Sequence, residues 1–380
     1  MADARTEFAV AAASAFDVTD AEIRGKGLQS LHSFLTDYQR FPIADTILNE
    51  NMMNAEENSR VRVDCTFTTG NAFRFQYPTE DDVAVDSDST RIGYLVMRYM
   101  QGGIAFNEVE ELAVNGGINK KIVDRLKAKY AAAMMDCATK FETSFWQKPS
   151  STSDDKQPWG IPTFVRYGSA TTTPGFNGGD PSELSGGYLG ISSTDEPRWQ
   201  NACATYTLES EDDFVQKFNQ LLYKTDFVAP MLVSREAVPG ELSQFTNETK
   251  RLLLCNYETF DKLERLRTRL NDNYGNDLSG RGGSGTDGVA TFAGTKLTVC
   301  PVMDSTSVIQ SGSAPVYGLS FNKNDGIGVV YNNNLWLRRK DPIMDANNSN
   351  KFRIMWDTMF NYFCSNRRRN FVLAKSEPIA

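Results

Sequence analysis

The chain holds one histidine, His32, and that single residue bounds its chemistry. A nucleophile with a histidine base would have to use it, and a zinc site with two histidine ligands is out of reach. His32 sits in "LQSLHSFLTDY" among apolar neighbours at helical spacing and reads as structural. The cysteines, Cys65, Cys137, Cys203, Cys255, Cys300 and Cys364, are widely spread. That spacing forms neither a Cys-x-x-Cys redox pair nor a zinc knuckle. They read as small apolar core residues in a reducing compartment. "GSGTDG", residues 283–288, matches the glycine pattern of a dinucleotide loop. Such a loop must follow a strand and open a helix; this one follows a helix and leads into a strand, so it reads as an ordinary loop.

Carboxylates offer the next chemistry. "TEDDVAVDSDST" supplies Asp81, Asp82, Asp86 and Asp88 beside Glu80. These oxygens could hold a calcium ion or meet a partner, but the stretch lacks the glycine and final glutamate of an EF-hand, and a solvated acidic loop is preferred. Glu108 and Glu110 in "FNEVEELAVN" could form a glycosidic acid–base pair. Alternate charges are equally common on a half-exposed strand. Arg367, Arg368 and Arg369 in "SNRRRNFVLA" allow three readings: an ion-pair site within or between subunits, a phosphate contact, or a solvated turn. The apolar "NFVLA" that follows should be buried. Planar guanidinium groups suit carboxylates at an interface, and the acidic loop 79–90 is a candidate partner.

Composition narrows the classes. Hydrophobic residues make up 40% of 380, enough for a substantial core, and the net charge of −8 argues against general attraction to nucleic acid or anionic membrane. No apolar run is long enough to span a bilayer, and the acidic, alanine-rich start is not a secretory signal, so a cytoplasmic protein is expected. The Asn247 and Asn347 sequons carry no meaning without secretion.

The elements that must position these residues follow from periodicity. Residues 1–57 read as an arm with a helix over 20–38. Val61, Val63 and Cys65 alternate with polar residues, as do Phe73, Phe75 and Tyr77, with a turn at Thr69-Gly70-Asn71; a further strand covers 91–106. A two-stranded arm of this kind needs a surface to pack on. From Ile118 through Tyr130, Met134 and Phe141 to Phe145, an apolar stripe predicts a helix over 117–147, about 29 residues and ~43 Å long. Residues 148–205 are rich in glycine, serine and proline and should be loops ordered by their neighbours. Beyond them, Ser210 caps one predicted helix, "RLLLCN" is a buried strand, and Asn256 caps a second helix that Gly275 ends.

The order of these segments resembles a family. "RYMQGGIAFNEVEELAVNGGINKKIVDRLKAKYAAAMMDCATKFETSFW", "QPWGIPTFV", "GGYLGISSTDEPRWQN", "FVQKFNQLLYKTDFVAPMLVS", "LLLCNYETFDKLERL" and "NRRRNFVLAKSEP" together resemble tailed-bacteriophage major capsid proteins of the Hong Kong 97 type, over about residues 55–380. The resemblance implies an α+β capsid fold: an N-terminal arm (1–57), an extended β-hairpin loop (58–106), a peripheral domain with a spine helix (107–205 and 350–380), and an axial α/β domain (206–349). It implies a non-enzymatic shell protein without cofactor or metal, assembling with itself into pentamers and hexamers around double-stranded DNA. It would work with portal, scaffold or maturation proteins, with a decoration protein as a further candidate, and move from host cytoplasm to virion capsid. Arg367–Arg369, Asp81, Asp82, Asp86, Asp88, Glu108 and Glu110 are the interface candidates. The alternatives are a secreted-type carbohydrate-binding or hydrolase protein, and another virion component.

Overall fold

The computed structural model describes residues 41–49, 53–67, 90–107, 118–168, 172–226, 250–270, 290–292, 295–322, 326–345 and 348–378. The arm helix over 20–38, His32, the 69–71 turn, the acidic loop, Glu108, Glu110, the glycine loop and Gly275 lie outside them.

A 17-residue strand, β14 (Asn348–Cys364), organises one half of the main sheet. Its first part pairs antiparallel with β4 (Arg98–Asn107), Lys351 opposite Asn107 and Phe360 opposite Arg98. Its last part pairs with β11 (Ile327–Asn332), and β12 (Arg338–Arg339) and β13 (Ile343–Asp345) also pair with it. On the far side of β11 runs β1 (Met53–Glu56), parallel. In the other half, β10 (Val316–Phe321) lies between β7 (Lys250–Cys255) and β15 (Phe371–Ala374). β9 (Thr295–Val299) and β8 (Ala290–Phe292) extend the β7 side; β6 (Ala202–Thr205) and β5 (Gly175–Phe176) extend the β15 side. One register pair, Phe321 opposite Ile327, joins the halves through β10 and β11. Strand pairing therefore crosses the boundary expected at 349/350: β11 sits with β14, whereas β15 sits with β7 and β10.

The segment expected as one strand over 91–106 divides at Met97. β3 (Thr90–Val96) pairs antiparallel with β2 (Arg60–Thr66) in a separate two-stranded ribbon, and β4 passes into the main sheet. Alternation continues through the break because Leu95 and Met97 are both buried. The exchange of partners leaves no trace in the local pattern.

Among the described residues, four helices of eight residues or more pack on this frame. α1 (Pro42–Asn49) buries Ile43, Ala44 and Ile47. α2 (Ile118–Phe145) is the long helix of the 117–147 stripe, 28 residues. Its middle packs Tyr130, Ala133 and Met134 on Phe106, Phe352, Ile354 and Trp356. Its end buries Phe141 and Phe145 in the main core, where both rings meet Tyr362. The Ser210 hydroxyl accepts from the Asp213 amide at 3.2 Å as expected, but the first turn, Glu211–Val215, is a π-helix before α3 (Gln216–Thr225) begins. The Asn256 side chain accepts from the Thr259 amide at 3.1 Å and caps α4 (Tyr257–Leu270). Phe214, Phe218, Leu221 and Leu263 cover Leu253, Leu297, Val316 and Phe371 in a second core. Five of the six cysteines are buried and Cys137 is half-buried; all are free thiols.

Candidate functional site

Asn366 begins the arginine turn. Its side-chain oxygen accepts from the Arg368 amide, and Arg367–Arg369 form one 3-10 turn between β14 and β15. The turn points Arg367 into the protein, where it is 0% exposed. Its Nε donates to the Phe164 carbonyl at 2.9 Å, Nη1 to Trp199 at 2.7 Å and Nη2 to Gly179 at 2.7 Å. The nearest carboxylate pairing is with Asp180, 3.8 Å away. Burial pulls the guanidinium down to about 10, so it stays charged at neutral pH. Arg367 thus ties the chain internally, through carbonyls more than through the carboxylates expected of it, and an interface role for it stands as a proposal. It gathers three segments of the 148–205 stretch, ending at Phe164, Gly179 and Trp199. The guanidinium of Arg368 lies over the Phe176 ring at 4.0 Å, and Arg369 is buried. An interface role for Arg368, Arg369 and the acidic candidates stands as a proposal.

Buried asparagines, which sequence reasoning passed over, do similar work. Asn361 accepts from the Trp159 amide at 2.7 Å and donates to the Val96 carbonyl at 2.7 Å, tying loop, ribbon and β14 together. Asn201 accepts from the Arg166 amide and donates to its carbonyl. Asn370 accepts from the Ser320 amide inside the sheet. The available signal was a polar residue within an apolar run, as in "MFNYFC", because an unpaired amide is costly to bury.

The β2–β3 ribbon has two unlike faces. Its inner face sets Gly93 and Leu95 on the 188–191 turn, where a Cβ at Gly93 would come within 2.8 Å of the Leu189 Cβ. Arg198 donates to the Phe67 carbonyl at 2.8 Å, and Arg91 pairs with Glu196 at 3.1 Å. The outer face carries Ile92, Tyr94 and Val96, which are 45%, 42% and 36% exposed. Arg60 lies over the Tyr94 ring at 3.9 Å. Three large apolar side chains in alternation on the solvent side of a ribbon form a cluster that a partner can cover.

A groove of about 730 Å³ runs between α2 and the β4–β14 sheet, lined by Tyr99, Gly102, Lys129, Ala133, Cys137 and Trp356 among others. Among the described residues its lining carries one carboxylate, Asp136. At the groove's edge Asp357 accepts from Lys340 at 2.7 Å and Arg338 at 3.3 Å, and the Tyr99 hydroxyl donates to it. Burial pushes that carboxyl up, but these three donors outweigh it and hold it below its ordinary value. Among the described residues, no helix is long and apolar enough to cross a membrane.

No protein-family model and no curated protein matches the sequence. Solved structures do match along nearly the whole chain. The cyanophage A-1(L) capsid asymmetric unit aligns with a TM-score of 0.56 at 10% identity, covering 86% of this chain and 90% of that one. The capsid of the native GTA particle gives 0.51 at 10% identity, over 93% and 96%. The mature capsid of bacteriophage PhiM1 gives 0.50 at 10% identity, over 92% and 90%. The fold is the Hong Kong 97-type capsid fold, as the sequence resemblance implied.

Proposed function

We propose that this chain is the subunit of a bacteriophage capsid, assembling as pentamers and hexamers into an icosahedral shell around double-stranded DNA. The observation that carries the reading is the outer face of the β2–β3 ribbon. Ile92, Tyr94 and Val96 lie exposed on the ribbon's outer face, and a lattice of like subunits would cover them. A fold shared with capsid subunits over about nine-tenths of the chain supports the same reading. In this assignment 58–106 is the extended loop, 107–205 and 350–380 the peripheral domain, and 206–349 the axial domain. Its partners in this reading are further copies of itself and portal, scaffold or maturation proteins, with a decoration protein a further candidate, and host cytoplasm is the place of assembly before the virion.

The arginine turn fits a shell that encloses DNA without gripping it. Arg367 and Arg369 are buried, so they are not available for phosphate contacts. Sedimentation velocity of the purified full chain tests the reading. Species of five or six copies and larger, lost when Ile92, Tyr94 and Val96 become serine, are expected. A monomer that binds oligosaccharide with the wild-type ribbon in place would overturn it.

A further inference from the structure

β4 pairs along its length with β14, and among the described residues no strand pairs with its other edge. The register shows which groups that edge offers. The Met355 carbonyl accepts from the Lys340 amide at 2.8 Å, on the β12 side of β14. Met355 lies opposite Gly103 of β4. In an antiparallel ladder the amide and carbonyl of one residue point the same way, and opposite residues either exchange both bonds or neither. Met355 turns its groups towards β12, so Gly103 turns its own away from β14. Two-residue alternation gives Tyr99, Gln101 and Ala105 the same direction. The Ala105 carbonyl agrees, since it accepts from Lys129 Nζ of α2 at 3.4 Å. This edge forms one wall of the groove of about 730 Å³, and α2 forms the other. Gln101, Gly102 and Gly103 are exposed, and a Cβ added at Gly102 would meet no atom within 4 Å. An open edge with two adjacent glycines lets another backbone approach closely.

The groove is basic within an acidic chain of net charge −8. Lys129, Lys140, Lys156 and Arg98 line it together with Asp136. Arg98 is taken by Asp155 at 2.7 Å, which leaves the lysines to set the sign. A strand that fits this edge should therefore be acidic. β4 of a second copy does not fit, because it would bring its own lysines against these. The segment 79–90, "TEDDVAVDSDST", carries Glu80, Asp81, Asp82, Asp86 and Asp88 and neither lysine nor arginine. Extended, it sets Asp82, Asp86 and Asp88 on one face and Val83 and Val85 on the other. Residues 82–88 match 99–105 one for one, over about 20 Å. A copy cannot place this segment on its own β4. Asp88 is tethered within about 7 Å of Thr90, whereas β3 runs about 20 Å from Thr90 to Val96 before β4 begins.

We propose that residues 82–88 of a second copy of this chain add as a strand to the open edge of β4, with their acidic face towards Lys129 and Lys140 of α2. Main-chain bonds to Tyr99, Gln101, Gly103 and Ala105 give the affinity, and the lysines select the segment. The acidic residues thereby gain a partner other than the arginine turn, where Arg367 and Arg369 are buried. The inference deepens the shell reading and rests on it for the second copy, but peptide binding reads it apart from assembly.

Fluorescence anisotropy with a labelled peptide of residues 79–90 tests it. The receptor is the full chain with Glu80→Gln, Asp81→Asn, Asp82→Asn, Asp86→Asn and Asp88→Asn, so that no copy's own segment competes. Saturable binding is expected. Ala84→Pro with Val85→Pro in the peptide keeps every charge but removes an amide that faces β4 in either register, and should weaken binding roughly tenfold or more. Lys129→Glu with Lys140→Glu in the receptor should weaken it by a similar factor, and a peptide with Asp82→Lys and Asp86→Lys should bind that receptor again. Absence of binding to the folded receptor overturns the proposal. So does a proline peptide that binds as well as the original, or a charge reversal without effect. Sedimentation of the wild-type chain runs beside it. Large species without peptide binding overturn the strand addition alone; peptide binding by a chain that stays monomeric supports the site and counts against the shell.

Discussion

The arginine turn and the β2–β3 ribbon exchange the roles their residue types suggest. Three arginines in a row look like surface, yet Arg367 is enclosed and bonded to three carbonyls. Ile92, Tyr94 and Val96 look like core, yet all three are exposed on the ribbon's outer face. Residue type sets what burial costs, and the partners supplied by the fold decide whether that cost is met. Arg367 finds carbonyls from three separate segments. The ribbon has only two strands, so one face packs on the body and the other faces outward.

The largest effect should come from breaking the buried side of this contrast. Arg367→Met should destabilise the chain by about 3–5 kcal/mol in urea unfolding, because it strands the Phe164, Gly179 and Trp199 carbonyls. Arg367→Lys should recover only part of it, since an ammonium cannot reach three carbonyls in one plane. A loss below about 1 kcal/mol would mean that water replaces the guanidinium. Next in size is Asn361→Ala, expected to cost about 1–3 kcal/mol by leaving the Trp159 amide and Val96 carbonyl unpaired. It should also loosen the ribbon, read as faster hydrogen exchange over 60–66 and 90–96. Gly93→Ala should cost about 1–3 kcal/mol through the contact with Leu189. A neutral outcome would show that the ribbon's inner face is not packed as described.

How much of this was legible in the sequence depended on how local each cause is. The stripe from Tyr130 to Phe145, the Asn256 cap and the buried run Leu252–Cys255 depend on neighbours a few residues away, and they were read correctly. The partners of Arg367 lie at positions 164, 179 and 199, so its burial could not be read from "SNRRRN". The change of sheet at Met97 depends on β2 and β14, which no alternation pattern reports. The expected interface residues Asp81, Asp82, Asp86, Asp88, Glu108 and Glu110 lie outside the described structure, so their role stays a proposal.

The smallest effect on stability should come from the outer face. Ile92→Ser with Tyr94→Ser and Val96→Ser removes exposed side chains and one exposed cation–π contact, so unfolding should shift by about 1–2 kcal/mol in total. Its effect on association should be far larger than that.

Electron microscopy of the two proteins side by side tests the central claim most directly. Wild-type chain, expressed alone and with its scaffold partner if one is needed, should give capsomer rings or closed shells. The ribbon variant, equally folded by circular dichroism and urea titration, should give neither. Shells from the ribbon variant that match those of the wild type would contradict the account, because the uncovered face would then have no part in assembly.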